Sequence, residues 1–110
     1  MAYLPARGHA LWLSLSPTLG HEQGGRRPVL VLSPDFYNRR SGLLVACPIT
    51  SRAKGYPFEV PIPAGLSVSG VILADQVRSL DWSARTIEPI GPLPDDLVQE
   101  VLARSRTLLS

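Results

Sequence analysis

Residues 20–33 read Gly-His-Glu-Gln-Gly-Gly-Arg-Arg-Pro-Val-Leu-Val-Leu-Ser. An imidazole, a carboxylate, an amide and two guanidiniums precede Pro28, and an apolar run from Val29 to Leu32 follows at once. This order predicts a loop feeding a buried strand. Gly20, Gly24 and Gly25 allow sharp turns and close approach of a ligand, while the aliphatic run anchors one end of the loop to a core. Binding groups concentrate on loops held by such a frame.

Working outward, Ala10 to Ser16 (Ala-Leu-Trp-Leu-Ser-Leu-Ser) alternates, with Leu11, Leu13 and Leu15 on one face and Trp12, Ser14 and Ser16 on the other. That period predicts a half-buried strand, ended by Pro17. Residues 29–33 and 43–49 are near-continuous apolar runs, as central strands covered on both faces would be. Residues 34–38 read as a short helical turn and 39–42 as an exposed reversal. Phe58 to Ile62, Gly70 to Ala74, Gln76 to Leu80 and Arg85 to Ile90 read as further short strands, with Pro57, Pro61, Pro63 and Pro89 confined to edges or ends. After Pro94, residues 95–108 place Leu97, Val98, Val101, Leu102 and Leu108 on one helical face, with Asp95 and Asp96 at the positive N-terminal end.

The chain is 110 residues long with eleven prolines and nine glycines, which suits one domain over 1–110 built from short strands. Hydrophobic residues make up 45% and charged ones 18%, against disorder, and no apolar run approaches the roughly 20 residues needed to cross a bilayer. The opening residues lack the apolar core of a secretory signal, and Cys47 is the only cysteine, so a reduced, cytoplasmic setting without disulfides is expected. Ten of the eleven cationic residues are arginine, a side chain suited to phosphate and base edges. A GC-rich genome, which encodes arginine freely, accounts for that bias equally well.

Three polar islands, at 16–27, 50–57 and 74–78, lie beside the apolar strands. If those strands share one small barrel, their ends bring Glu22, Arg27, Thr50, Ser51, Lys54, Asp75, Gln76 and Arg78 into one neighbourhood. His9 and His21 are too few and too separated for a metal site, and no carboxylate cluster has ligand spacing, so neither metal nor cofactor is expected. Ser14, Ser16 and Ser33 lack the glycines of a nucleophile elbow. Trp12, Tyr37, Phe58 and Trp82 are candidates for stacking on bases or, alternatively, for packing in a core or interface.

Three blocks in order give the chain its resemblance to the MazF/PemK family of toxin endoribonucleases. They are Leu11-Trp12 with Pro17-Thr18, Gly20-His21-Glu22-Gln23 and Arg27-Pro28; Pro48-Ile49-Thr50 with Gly55-Tyr56-Pro57-Phe58-Glu59-Val60; and Leu73-Ala74-Asp75-Gln76-Val77-Arg78-Ser79. The resemblance implies a mainly β fold, an SH3-like small β-barrel of the MazF/CcdB kind with a C-terminal α-helix. It also implies a homodimer and sequence-specific, metal-independent cutting of single-stranded RNA. A MazE-like antitoxin, small and acidic with a tail that folds on binding, would neutralise it, the complex also binding DNA. The same barrel supports two alternatives, a noncatalytic CcdB-like toxin that grips DNA gyrase and a noncatalytic RNA-binding barrel.

In the reaction so implied, the ribose 2′-OH attacks its neighbouring phosphate. The site must remove that proton, stabilise the added negative charge and protonate the departing 5′ oxygen. Arg27 matches the arginine regarded as catalytic in MazF-like members, and charge stabilisation suits a guanidinium, which stays charged. Thr50 matches the threonine paired with it, and Glu22 either takes the 2′-OH proton or orients Arg27. His21, Gln23, Ser51, Lys54, Asp75, Gln76 and Arg78 are expected to bind RNA. His21 and Asp75 match residues of the PemK/Kid branch, in which an arginine two positions before the aspartate acts as acid; Leu73 stands there, leaving that task to Arg27 or His21. The other departure is His9, where the family usually carries an acid. An acidic antitoxin segment is expected on the surface bearing Arg26, Arg27, Arg52, Lys54 and Arg78.

Overall fold

A computed structural model of the chain describes residues 3–14 and 26–110. Its elements are β1 (His9–Ser14), β2 (Arg26–Val31), α1 (Asp35–Ser41), β3 (Leu43–Thr50), β4 (Glu59–Pro61), β5 (Val71–Leu73), β6 (Arg78–Asp81), β7 (Ile87–Pro92) and α2 (Asp95–Arg106). Every strand pairing is antiparallel. The hydrogen-bonded path runs β4-β5-β3-β2-β1-β7, with β6 also on β3. The mainly β fold with a C-terminal helix is as the sequence implies, while the expected barrel stays open between β4 and β7 among the described residues.

β3 organises this sheet because it changes neighbours along its length. Leu43 to Ala46 pair with β6, Ala46 to Pro48 with β2, and Ile49 and Thr50 with β5. Pro48, which has no N–H to give a ladder, falls where β6 hands over to β5. Pro28 likewise precedes the β2–β3 ladder, which begins at Val29. Pro61 and Pro89 lie on the terminal strands β4 and β7, as expected of prolines in a sheet.

Alternation sorts the apolar residues onto two faces. Ala10, Leu30, Leu32, Cys47 and Ile49 join Val60, Ile72 and the helix residues Leu97, Val98 and Val101 in one core. Leu11, Leu13, Val29, Val31, Leu44, Ala46 and Leu80 form a second, flanked by Tyr3, Trp82 and Ile87. The central strands are therefore covered on both sides, as their continuous apolar runs predict. Leu15 lies outside the described residues.

Helix α2 starts after Pro94 with Asp95 and Asp96 in its first turn, carries Arg104 and Arg106 in its last, and buries Leu97, Val98, Val101 and Ser105. Charges of those signs at those ends suit the helix dipole. It stops at Arg106 rather than 108, and Leu108 is exposed instead of belonging to the buried face. The expected reversal at 39–42 is also corrected: α1 runs through Arg39, Arg40 and Ser41 and ends at Gly42, whose N–H reaches the Asn38 carbonyl at 3.1 Å.

The reason is Asn38, fully buried and fully partnered. Ser33 Oγ donates to its Oδ1 at 2.6 Å, and its Nδ2 donates to the carbonyls of Pro5 and Ser33 at 2.9 and 3.1 Å. Trp82 Nε1 donates to the Asn38 carbonyl at 3.0 Å. Such satisfied polar knots fix one geometry, here tying the N-terminal segment and α1 to the sheet. At the β6–β7 turn, Ser83 Oγ donates to Asp81 at 2.7 Å and the Ala84 N–H at 3.1 Å, together holding that carboxyl below its usual range against a smaller desolvation effect.

Candidate active site

The C-terminal end of β3 and the N-terminal end of β2 open onto a groove of about 950 Å³. It is lined by Ile49, Thr50, Ser51 and Arg52, by Leu66 to Ser69, and by Trp12, Arg26, Arg27 and Pro28. Three arginines and the hydroxyl residues Thr50, Ser51, Ser67 and Ser69 line this groove, and among the described residues no carboxylate does. Arginine forks and hydroxyl donors suit a phosphate-bearing strand.

Arg27 is exposed at the start of β2, register partner of Leu13. Thr50 ends β3 half-buried, and its Oγ1 accepts the Arg52 N–H at 3.1 Å. That contact uses an acceptor lone pair and leaves the O–H available to donate. Thr50 is also pinned from behind. A Cβ on Gly70, whose φ is +115°, would stand 2.2 Å from the Thr50 carbonyl oxygen, so only glycine lets the 62–70 connection close on this strand end.

The segment 51–57 is held at its far end. Glu59 accepts the N–H groups of Lys54 at 3.0 Å and Gly55 at 2.9 Å, and Arg104 of α2 donates to the Pro57 carbonyl. Lys54 itself does not line the groove. Nor do Asp75, Gln76 and Arg78, which corrects the expectation that all three polar islands meet. The cause is the length of β3: Arg78 pairs with Ala46 while Thr50 pairs with Val71, and four residues of strand separate those levels by about 13 Å. Arg27, Thr50 and Ser51 are brought together. Glu22, His21 and Gln23 lie outside the described residues; Arg26, which follows them in sequence, lines the groove. His9 sits at the other end of β1 from Ser14, where its Nδ1 meets the Tyr3 hydroxyl at 2.5 Å, so the departure from an acid there touches the strand start and not the groove.

Sequence reading missed the Leu66–Ser69 wall, which looks like a plain connection; the hydroxyls flanking Val68 just before Gly70 were the available signal. It also missed a stack at the groove edge. Arg26 lies over the Trp12 ring, its Cζ 4.9 Å from the centroid, and forms an ion pair with Glu88. Among the described residues no group of three or more His, Cys, Asp and Glu is placed to hold a metal ion.

A small open β-sheet capped by one helix, with a cationic, hydroxyl-lined groove at its strand ends, defines a class of protein built to hold a polyanionic strand. Residues 6–109 match the family described as PemK-like, MazF-like toxin of type II toxin-antitoxin systems, and the chain belongs to that family. It is 41% identical over 107 residues to the endoribonuclease toxin MazF of Escherichia coli K12, covering 97% of this chain and 96% of that one. The crystal structure of MazF from Deinococcus radiodurans superposes with a TM-score of 0.87 at 57% identity, covering 98% of both chains. A MazE-MazF structure from the same organism gives 0.88 at 52% identity, covering 99% of this chain and 98% of that one.

Proposed function

We propose that this chain is an endoribonuclease toxin that cuts single-stranded RNA at short sequences by 2′-OH attack, acting as one domain over 1–110. The observation that carries the proposal is that Arg27 and Thr50, arriving on different strands, line one groove in a member of the MazF-like family. The family match favours this reading over a gyrase-binding or purely RNA-binding barrel.

In this reading a backbone phosphate lies between the Arg27 guanidinium and the Thr50 hydroxyl. Arg27 stabilises the charge that builds on the phosphorane, and Thr50 donates to a nonbridging oxygen. Glu22 takes the 2′-OH proton or orients Arg27, and His21 or Arg27 supplies the proton to the 5′ oxygen. Ser51, His21 and Gln23 bind the strand at the groove. Lys54, Asp75, Gln76 and Arg78 lie off it and act on RNA that extends beyond it. The mechanism calls for no metal or cofactor.

Relatives solved as MazE-MazF complexes support an antitoxin partner for this chain. An acidic segment laid in the groove would mimic the RNA phosphates against Arg26, Arg27 and Arg52. We further infer a homodimer working in the cytoplasm. No described helix is long and apolar enough to cross a membrane.

The test is an RNA carrying one preferred cleavage site, prepared all-ribose and with a single 2′-deoxy sugar on the 5′ side of the scissile linkage. The first is expected to be cut in the presence of a chelator, and the second to survive at that linkage. Cutting of the deoxy linkage would reject 2′-OH attack.

A further inference from the structure

Trp12 and Arg26 face the groove on one side and a second hollow of about 370 Å³ on the other. Ser14, Thr86, Ile87 and Glu88 complete that hollow. The register explains the grouping. Trp12 is opposite Glu88 on β7 and Pro28 on β2, and Arg26 is opposite Ser14, so Trp12, Arg26 and Glu88 rise from one face of three neighbouring strands. Arg26 therefore crosses over β1, lies on the indole and ends at Glu88. The Arg26 and Glu88 side chains are 55% and 59% exposed, and ion pairs in that position add little stability, so the guanidinium can move aside at small cost.

We propose that this hollow is a nucleobase subsite for a nucleotide adjoining the one cut at Arg27 and Thr50, a proposal that rests on the endoribonuclease reading. A carboxylate in its wall disfavours a phosphate. The indole face and Ile87 offer an apolar slot for a planar ring, and stacking on an aromatic side chain is how proteins hold splayed single-stranded bases. Glu88 accepts from an exocyclic amino group, while Arg26 donates to a neighbouring ring nitrogen or carbonyl. Uracil's one edge donor, N3–H, lies between two carbonyls that repel a carboxylate, so the slot prefers an amino-bearing base, adenine, cytosine or guanine, over uracil. Because the stack forms the ridge between groove and hollow, occupying one side orders the wall of the other.

The experiment is cleavage of a randomised single-stranded RNA library, with cut ends sequenced, by the unaltered protein and by Glu88→Gln, Arg26→Ala and Trp12→Leu. The unaltered protein is expected to disfavour uracil at one position beside the cut. Glu88→Gln should weaken that discrimination about tenfold at that position alone, leaving other positions as they were. Trp12→Leu should raise KM by about tenfold or more on the preferred site while kcat changes less. Glu88 and Arg26 are exposed, so their variants are expected to fold, and unchanged thermal midpoints will verify it. Wild-type base preferences at every position in both Glu88→Gln and Arg26→Ala would overturn the subsite while leaving the endoribonuclease reading standing. Failure of the unaltered protein to cut any member would overturn both.

Discussion

Thr50 and Arg27 are asked to do different work, and single substitutions separate it. Thr50→Ser keeps the donor and is expected to retain cutting, whereas Thr50→Ala should lose about ten- to a hundredfold in kcat with little change in thermal midpoint. Gly70 is the less obvious residue. Gly70→Ala would drive a methyl into the Thr50 carbonyl in a backbone conformation that L side chains rarely adopt, costing about 1–3 kcal/mol or more. It should lower both midpoint and kcat. Gly65→Ala, strained in φ but with open space around its Cβ, should lower the midpoint without the same loss of kcat. Equal kcat losses in the two variants would show that Gly70 does not position Thr50.

Elements explain why some of the site could be read from sequence and some could not. Arg27 and Thr50 sit next to the apolar runs that became β2 and β3, so those runs placed both near strand ends, although β2 begins at Arg26 and takes Arg27 from the expected loop into the strand. That Arg78 lies at a different level of β3 from Thr50 depends on which stretch of β3 each short strand pairs with, a register no local pattern encodes. The 39–42 reversal failed for a related reason: the expected helical turn at 34–38 continues to Ser41, its end set by the Gly42 N–H on the Asn38 carbonyl and its place by long-range bonds of Asn38 to Pro5 and Trp82. The 51–57 segment is held by side chains from β4 and α2, again beyond local reading. Glu59→Ala should therefore speed amide exchange at Lys54 and Gly55 markedly while leaving Ile72 in β5 protected. Unchanged exchange at those two amides would mean that the carboxylate does not organise the segment.

Across the whole molecule, the buried thiol between sheet and helix and the partly buried Tyr3 phenol, both raised by burial, contribute to the response to alkali. Cys47 is fully buried 4.0 Å from Ser105 Oγ, and burial pushes its pKa up to about 11, opposed by the Ser105 contact and aided by nearby Asp75. A thiol whose folded pKa is raised contributes stability that is complete below the unfolded value near 9 and lost as pH climbs to about 11. The loss should be on the order of 2–3 kcal/mol, and Cys47→Ala should flatten it; an equally steep decline in Cys47→Ala would assign it to other groups. The same chain is expected to sediment as a twofold dimer at micromolar concentration, and a monomer throughout that range would refute the dimer.

A folded member of the MazF-like family with this groove is expected to cut RNA through Arg27. The most direct test is the rate of cutting of a long unstructured RNA, in chelator, by the unaltered protein and by Arg27→Ala of equal thermal midpoint. Discrete products are expected from the first and a rate lower by about a hundredfold or more from the second. Equal rates from the two proteins would contradict this role for Arg27.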